Sequence, residues 1–369
     1  MKGSKVRYAV VGLGHIAQNA VLPAFEHATE NSELTALISG DDEKLKAVGE
    51  RYNVQNRYHY GEFDKALADD TFDAVYICLP NNLHKQYTIK AADGGVHVLC
   101  EKPMAMCSRD CQEMISACEF NNVKLMIAYR LHFERANMEA VKTIQSGEIG
   151  KPRIFNASFS LQVTPDNYRI SKEQGGGPLY DIGIYCINAA RYLFKSEPVQ
   201  VTALSVRSND PRFREVDESV AAIMKFPDER LALFACSFAA FDDSRYEVIG
   251  TRGRLTLDPA FDYTNELKYI LAQPEHQEQH VKPMVDQFAP EILHFSKCIL
   301  EDLQPRPCGY EGLADIKVIE AIIESCKTGK AVELDFKLHQ RTSEPDLTMV
   351  KDIPPAAKPP LVKVHSSSQ

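Results

Sequence analysis

The chain has 369 residues, of which 44% are hydrophobic and 25% are charged, and its formal net charge is −9. This length and an ordinary hydrophobic fraction predict two globular domains, each with a core of its own. The negative charge balance argues against nucleic acid or an anionic membrane as a partner.

The first apolar run, Val6 to Val11, is far too short for a signal peptide or a membrane span and instead predicts a first strand. We therefore expect a cytoplasmic protein. The ten cysteines include no Cys-x-x-Cys pair, which argues against a zinc site. We expect reduced cysteines that pack as small apolar side chains, and no bound metal.

Apolar strands and amphipathic helices alternate through the first 128 residues. Continuous apolar strands between helices predict a parallel sheet that is covered on both faces. The predicted strands are Val6 to Val11, Leu34 to Ser39, Ala74 to Leu79, His97 to Cys100 and Lys124 to Ala128, and the predicted helices are Ile16 to His27, Asp42 to Tyr52, a segment through Ala91, and Ser108 to Phe120.

Several strand-like runs follow one another after about residue 129. Successive strands predict an α+β domain, residues 129–338, with a large and mostly antiparallel open sheet. Residues 339–369 are polar and rich in proline, which predicts a flexible tail or an arm that lies on a neighbouring chain. The predicted strands are Arg153 to Val163, Val199 to Val206, Ser219 to Phe226, Leu231 to Phe238, Arg245 to Ile249 and Arg254 to Leu257, and the predicted helices are Ala136 to Ile144, Leu179 to Phe194, Pro290 to Leu303 and Gly312 to Cys326.

A glycine-rich turn follows the first strand and opens a helix, with the sequence Gly12-Leu13-Gly14-His15-Ile16-Ala17. This is the G-x-G-x-x-G/A pattern in the context that dinucleotide binding requires. Gly12 permits the tight turn, Gly14 lets a pyrophosphate approach the backbone, and the helix N-terminus attracts the phosphates. The turn predicts a Rossmann dinucleotide-binding domain at residues 1–128.

The end of the second strand decides between NAD(H) and NADP(H). NAD enzymes usually place an acid there for the ribose hydroxyls. Here the small and neutral Ser39 occupies the position, and Lys44 follows in the first turn of the next helix. Asp41 and Asp42 would repel a phosphate, but they also suit the cap of that helix. The pattern favours NADP(H).

Polar residues follow the third and fourth predicted strands at the carboxyl edge of the sheet, where ligands bind in such folds. Glu101 and Lys102 interrupt the apolar run directly before Pro103, and Pro80-Asn81 stands at the end of the neighbouring strand. We expect these residues beside the nicotinamide. His84, taken alone, indicates the start of a helix rather than a catalyst.

The second domain contains the run Gly175-Gly176-Gly177-Pro178-Leu179-Tyr180-Asp181-Ile182-Gly183-Ile184-Tyr185. Asp181 and Tyr185 are four residues apart and share one face of a regular helix. A tyrosine can transfer protons when a nearby ammonium lowers its pKa. On spacing alone the alternative is favoured, in which the tyrosine packs in the core and the aspartate complements the helix N-terminus.

Taken together, the glycine-rich turn, Glu-Lys-Pro and the Gly-Gly-Gly-Pro-Leu-Tyr-Asp run resemble the glucose–fructose oxidoreductase/inositol dehydrogenase (Gfo/Idh/MocA) family, most closely its glucose–fructose oxidoreductase branch. The similarity extends to about residue 335. Further matching pieces are Ser39-Gly40 with Lys44, Tyr58-His59-Tyr60, Tyr129-Arg130-Leu131-His132-Phe133-Glu134, and Tyr168-Arg169.

The resemblance implies a role for each matched position. Lys102 would orient the substrate oxygen, Tyr185 would exchange the proton, and Asp181 would hydrogen-bond the substrate. Many relatives have histidine in place of Tyr185 and tryptophan in place of Tyr168, and the long arm of the periplasmic glucose–fructose enzymes does not precede the first strand here. The residues implied in cofactor binding are Gly12, Gly14, His15, Ile16, Ser39, Gly40, Lys44, Tyr60, Pro80, Asn81, His84, Glu101, Lys102, Arg130, Tyr168 and Arg169.

The expected activity is reversible hydride transfer between NADP(H) and a sugar carbon, with C1 of an aldose and a lactone product as the leading case. In one version the cofactor stays bound and is recycled on a second sugar. An inositol or keto-sugar dehydrogenase or reductase, and a cofactor-binding regulator without turnover, remain alternatives. Because the strand Leu231 to Phe238 carries apolar residues on both faces, we expect a homodimer or homotetramer joined through the second sheet.

Overall fold

The computed structural model describes residues 5–336, 345 and 347–364, and it divides the chain into two compact units. The first unit contains the described residues up to Arg130, together with Asp286–Gly312 and residues 352–364. The second contains Leu131–Val285 and the described residues from 313 to 351. The sequence predicted a continuous second domain over residues 129–338, whereas the chain rejoins the first unit at Asp286.

A six-stranded parallel sheet forms the centre of the first unit, in the order β3-β2-β1-β4-β5-β6. The residues of β4 are all buried, and five of the six residues of β1 are buried, as expected for strands covered on both faces. The α/β class predicted from the sequence is confirmed. The strands are β1 (Val6–Val11), β2 (Ser32–Ile38), β3 (Asn56–Tyr58), β4 (Ala74–Ile77), β5 (His97–Glu101) and β6 (Leu125–Ala128).

Helices connect these strands, and the first of them is irregular. Helical structure begins at His15, passes through a π-helical segment, Ala17–Val21, and ends in the short helix α1 (Leu22–Ala24). The next helix starts where Asp41 accepts hydrogen bonds from the backbone N–H groups of Glu43 and Lys44. The other connecting helices are α2 (Asp42–Arg51), α3 (Phe63–Ala68), α4 (His84–Asp93) and α5 (Ser108–Phe120).

A nine-stranded sheet forms the second unit, in the order β14-β13-β12-β11-β7-β10-β9-β8-β15. Strands β7 and β10 pair in parallel, and the other described neighbours pair antiparallel, which confirms the mostly antiparallel sheet. The strands are β7 (Pro152–Ser160), β8 (Gln200–Val206), β9 (Ser219–Phe226), β10 (Arg230–Ser237), β11 (Asp243–Gly250), β12 (Arg254–Leu257), β13 (Leu267–Gln273), β14 (His276–Lys282) and β15 (Val332–Glu333).

One face of this sheet is buried under helices. Helix α6 (Arg135–Gln145) precedes β7, and α7 (Ile184–Phe194) follows a π-helical segment, Leu179–Gly183. From Cys186 to its end, α7 is entirely buried, and it includes the fully buried Arg191. The Arg191 guanidinium is neutralised by ion pairs with Asp315 and Glu197.

The C-terminal part of the chain contributes to both units. Helix α8 (Ala289–Leu300) packs on the parallel sheet, where the Ser296 and Tyr8 hydroxyls lie 2.7 Å apart, and α9 (Gly309–Thr328) follows it. Residues 352–364 lie on the first unit, where the Asp286 N–H donates to the Ile353 carbonyl at 2.8 Å. This part of the predicted flexible tail is therefore attached to its own chain. Residues 345 and 347–351 of that tail belong to the second unit, and 339–344, 346 and 365–369 are outside the described residues.

All ten cysteines lie within the described residues, and none forms a disulfide. Within the same residues, no helix has both the length and the hydropathy needed to cross a bilayer.

Candidate active site

The turn between β1 and the first helix has the geometry that its glycines predict. Gly12 has φ +97°, and a Cβ added there would lie 2.6 Å from the Cys78 carbonyl oxygen. A Cβ on Gly14 would meet no heavy atom within 4 Å. The backbone at Gly14 therefore leaves space for an approaching phosphate, at the start of the helix that carries His15, Ile16 and the buried Ala17.

A small polar cluster lies at the end of β2. The buried Ser39 hydroxyl accepts the Asp41 N–H at 3.3 Å, and Ser39 is also hydrogen-bonded to the Tyr60 hydroxyl. Gly40 packs under the Tyr60 ring, where a Cβ would come within 3.0 Å of a ring carbon. Burial raises the pKa of Tyr60 to about 12, so the hydroxyl remains a neutral donor.

The acids of this loop have local partners that account for their positions. Asp41 Oδ1 accepts the Glu43 and Lys44 N–H groups, and the Lys44 N–H bond is the main reason that the pKa of Asp41 is lowered. Asp42 lies 2.6 Å from His59 Nε2. The residue directly after β2 is therefore the neutral Ser39, and the nearest acid, Asp41, caps the next helix.

His84 joins the loops that follow β4 and β5. Its ring is buried, and the two ring nitrogens lie 2.9 Å from the Leu79 carbonyl oxygen and 2.8 Å from that of Pro103. Burial lowers the pKa of His84. Because both nitrogens face backbone carbonyls, we interpret His84 as a residue that positions Pro80-Asn81 and Lys102-Pro103, rather than as a direct cofactor ligand.

A buried pair of acids adjoins Lys102. The Tyr76 hydroxyl lies 3.1 Å from Glu101 Oε1 and 3.0 Å from Glu291 Oε2. Burial raises the pKa of Glu101, while Lys102 and Arg130 act in the opposite direction. The Glu101 side chain is therefore buried against Tyr76 and does not face solvent.

Arg130 is a second buried cation in the same unit. Its Nη1 donates to Gln287 Oε1 at 2.5 Å, and its charge also lowers the pKa of Glu101. Tyr76, Gln287 and Glu291 were not predicted as site residues. Tyr76 belongs to an apolar strand, and Glu291 stands in the first turn of α8, where an acid commonly complements the helix dipole.

The second unit joins Tyr168, Arg169 and Asp181. The Arg169 Nε donates to Asp181 Oδ2 at 2.6 Å, and the guanidinium lies 5.0 Å from the centre of the Tyr168 ring. Burial alone would lower the pKa of Arg169, but Asp181, together with Tyr168 and Tyr263, acts in the opposite direction, and the pKa is raised. This charge-assisted hydrogen bond holds the Asp181 carboxylate and the Arg169 guanidinium in a fixed relative orientation.

The triple glycine makes this arrangement possible. A Cβ on Gly176 would lie 2.2 Å from the Arg169 carbonyl oxygen, and the Gly177 N–H donates to that same oxygen at 2.8 Å. Gly177 has φ +113°, which side chains rarely adopt. The glycines therefore let the backbone pack closely against the Tyr168-Arg169 turn.

Tyr185 stands in the first turn of α7, half-buried among aromatic rings. Its ring centre lies 5.6 Å from that of Phe159 and 5.9 Å from that of Phe261. The sequence analysis placed Asp181 and Tyr185 on one face of a regular α-helix. Asp181 instead belongs to the π-helical segment, so the regular 3.6-residue repeat does not describe the interval between them.

Two members of the motif at residues 129–134 serve the fold. Glu134 caps α6 by accepting the Ala136 and Asn137 N–H groups, both at 2.8 Å. His132 Nε2 lies 2.9 Å from Asn188 Oδ1 on α7.

Of the predicted site residues, those from Gly12 to Arg130 belong to the first unit, and Tyr168, Arg169, Asp181 and Tyr185 belong to the second. Over residues 5–336, 345 and 347–364, no group of three or more His, Cys, Asp or Glu side chains is arranged to hold a metal ion.

Comparison with known proteins matches both units. Residues 6–129 match the model described as an oxidoreductase family with an NAD-binding Rossmann fold, and residues 138–256 match the GFO/IDH/MocA C-terminal domain. D-xylose 1-dehydrogenase [NADP(+)] of Haloarcula marismortui is 34% identical over 89% of this chain and 93% of its own.

Two solved structures extend the comparison. Aldose-aldose oxidoreductase from Caulobacter crescentus has a TM-score of 0.85 and 38% identity, over 89% of this chain and 100% of that chain. A 3-ketoreductase from Actinomadura kijaniata in complex with NADP and TDP-benzene has a TM-score of 0.79 and 28% identity, over 87% and 98%.

Proposed function

Because the chain belongs to the GFO/IDH/MocA family of oxidoreductases, we propose that it transfers hydride between NADP(H) and a sugar carbon that bears a hydroxyl group. The leading substrate is an aldose oxidised at C1 to a lactone. The main support for this proposal is that the same chain contains the glycine-rich turn, a strand end at β2 without an acid, and the three residues Lys102, Asp181 and Tyr185.

Each of these groups has a proposed task. When bound, NADP⁺ accepts the hydride that leaves the sugar carbon, and the glycine-rich turn with Ser39, Lys44 and Tyr60 holds this cofactor. Tyr185 removes the proton of the hydroxyl on that carbon. The Lys102 ammonium holds the same oxygen and stabilises its growing negative charge. Asp181, fixed by Arg169, hydrogen-bonds a further sugar hydroxyl.

Turnover of purified protein tests the proposal. The protein is mixed with NADP⁺ and a panel of aldopentoses and aldohexoses, the reduced nicotinamide is followed by absorbance, and the product is identified by NMR. A lactone formed in equal amount to NADPH is the expected result. Cofactor binding without turnover of any aldose or keto sugar would instead favour the regulator, and would overturn the proposal.

A keto-sugar reductase is the second candidate, favoured by the similarity to the 3-ketoreductase from Actinomadura kijaniata. A keto-sugar reductase would oxidise NADPH in the presence of keto sugars and would form no lactone from aldoses. The similarity to an aldose-aldose oxidoreductase favours a version in which a second sugar reoxidises a retained cofactor. That version predicts a reduced-nicotinamide absorbance band in the protein as purified.

We propose that the protein works in the cytoplasm as a homodimer or homotetramer joined through the nine-stranded sheet. The large uncovered apolar side chains on that sheet support the assembly, and ten cysteines without disulfides suit a reducing compartment.

A further inference from the structure

A lysine from the C-terminal segment lies among the acids that follow β2. The Lys363 Nζ is 2.8 Å from Glu43 Oε2 and 3.6 Å from Asp41 Oδ2. The hydrogen bond to Glu43 is the main cause of a raised pKa for Lys363, and Lys363 in turn contributes to the lowered pKa of Asp41. These acids begin two residues after Ser39, so Lys363 compensates negative charge beside the end of β2.

A second contact fixes the same segment to the glycine-rich turn. The buried Gln18 side chain donates from Nε2 to the carbonyl oxygens of Leu13, at 2.9 Å, and Val362, at 3.1 Å. Its Oε1 accepts the Val362 N–H at 2.8 Å. Because Leu13 lies between Gly12 and Gly14, one glutamine joins Val362 to the turn that receives the pyrophosphate.

The rest of the segment suits a fixed path. Its other end is held by the bond from the Asp286 N–H to the Ile353 carbonyl, at 2.8 Å. Between Ile353 and Val362 the sequence contains Pro354-Pro355 and Pro359-Pro360. Proline restricts the unfolded chain, so ordering this segment costs less entropy than ordering a flexible one. A few contacts at its ends are therefore enough to place Lys363.

We propose that Lys363 is a specificity-determining residue of the cofactor site, because it neutralises Asp41 and Glu43 and so permits a 2′-phosphate to bind beside an acidic loop. Without this cation, the acids would repel the phosphate of NADP(H) and favour the ribose hydroxyls of NAD(H). The inference rests on the NADP(H) preference of the proposed function, and it assigns part of that preference to the C-terminus.

The test is equilibrium binding of NADPH and NADH to the full-length protein, measured by fluorescence at low ionic strength. Lys363→Gln is expected to weaken NADPH binding about tenfold and NADH binding less than twofold, and the difference shrinks as salt is added. Adding Asp41→Asn should recover most of the NADPH affinity, because asparagine keeps the helix cap and removes the charge.

Two controls separate charge from position. Lys363→Arg keeps the cation and should bind NADPH as the wild type does. Lys358→Gln removes a lysine from the same segment and should change the affinity for NADPH and for NADH by no more than twofold. Equal losses for NADPH and NADH with Lys363→Gln, no loss for either, or a similar loss with Lys358→Gln would each overturn the inference. A wild type that prefers NADH would instead contradict the proposed cofactor choice.

Discussion

At the scale of single residues, the hydrogen bonds of Tyr76 bear on which of two buried carboxyl groups is protonated. Its one hydroxyl proton faces both Glu101, at 3.1 Å, and Glu291, at 3.0 Å, so one of the two carboxyl groups must carry its own proton. Burial raises the pKa of Glu291 well above its usual value, and its Oε1 has no hydrogen-bond partner in the described part of the chain. We therefore predict that Glu291 is the neutral member.

Glu291→Gln tests this assignment through the pH dependence of stability. The pKa of Glu291 is higher in the folded than in the unfolded protein, where it is about 4.3. The contribution of Glu291 to the free energy of unfolding is therefore largest below about pH 4.3. It decreases as pH rises toward the folded pKa, by at most about 1.4 kcal/mol per pH unit. Glutamine has no proton to lose in this range, so the free energy of unfolding of the variant should increase relative to that of the wild type as pH rises.

The measurement is urea unfolding between about pH 5 and pH 9, within the range where both proteins fold reversibly. Glu33→Gln is the control, since Glu33 is an exposed acid of β2. A difference between Glu291→Gln and wild type that stays constant with pH would show that Glu291 is charged in the folded protein.

At the scale of elements, the two glycines of the turn after β1 have separable roles. Gly14→Ala adds a methyl group to open space, so the melting temperature should change little. The affinity for NADP(H) should fall at least about tenfold, because the methyl group lies where the phosphates would approach the backbone. Gly12→Ala should instead destabilise the fold by about 1–3 kcal/mol, because its φ is +97° and the Cys78 carbonyl is in the way.

Thermal unfolding and NADPH titration of both variants check these roles. An unchanged NADPH affinity for Gly14→Ala would mean that the cofactor does not approach the backbone at this turn.

The elements that sequence analysis predicted correctly are those with a local cause. The apolar strands β1 and β4 and the capped helix α2 were predicted because burial and capping leave a pattern within a few residues. Strand β14 was missed because its sequence, His-Gln-Glu-Gln-His-Val-Lys, is almost entirely polar. The π-helical segments before α1 and α7 were missed because a regular helix with a 3.6-residue repeat was expected at both places.

In the candidate site, too, the parts that depend on neighbouring residues in the sequence were predictable. The glycine-rich turn and the Ser39 strand end follow from local motifs, and their geometry agrees with those motifs. The Tyr76 and Glu291 pair and the contact of Lys363 with Asp41 join residues that are hundreds of positions apart, and such contacts leave no periodic signal. The triple glycine was quoted as part of a motif, but its packing against Arg169 required the structure.

At the scale of the whole molecule, the nine-stranded sheet has one uncovered face with large apolar side chains. Leu204 is 71% exposed, Val206 60%, Ile223 46% and Leu231 43%, while alternate residues of the same strands are buried. We expect a stable oligomer that buries this face.

Light scattering at micromolar concentration should give at least the dimer mass for the wild type. Ile223→Lys should shift the protein to the monomer, whereas Phe120→Lys, at an 86% exposed apolar residue of α5, should not. A monomeric wild type, or a dimer that Ile223→Lys leaves intact, would contradict assembly through this face.

The central claim is that the protein catalyses hydride transfer on a sugar with Tyr185 as the group that exchanges the proton. Tyr185→Phe preserves the ring that contacts Phe159 and Phe261, so the fold and the NADPH dissociation constant should change little. The most direct measurement is kcat of Tyr185→Phe and wild type on the best aldose, with NADPH affinity determined in parallel. The account predicts a loss in kcat of about 10²–10⁴-fold with NADPH affinity within about twofold, whereas a variant that keeps most of the wild-type kcat would contradict it.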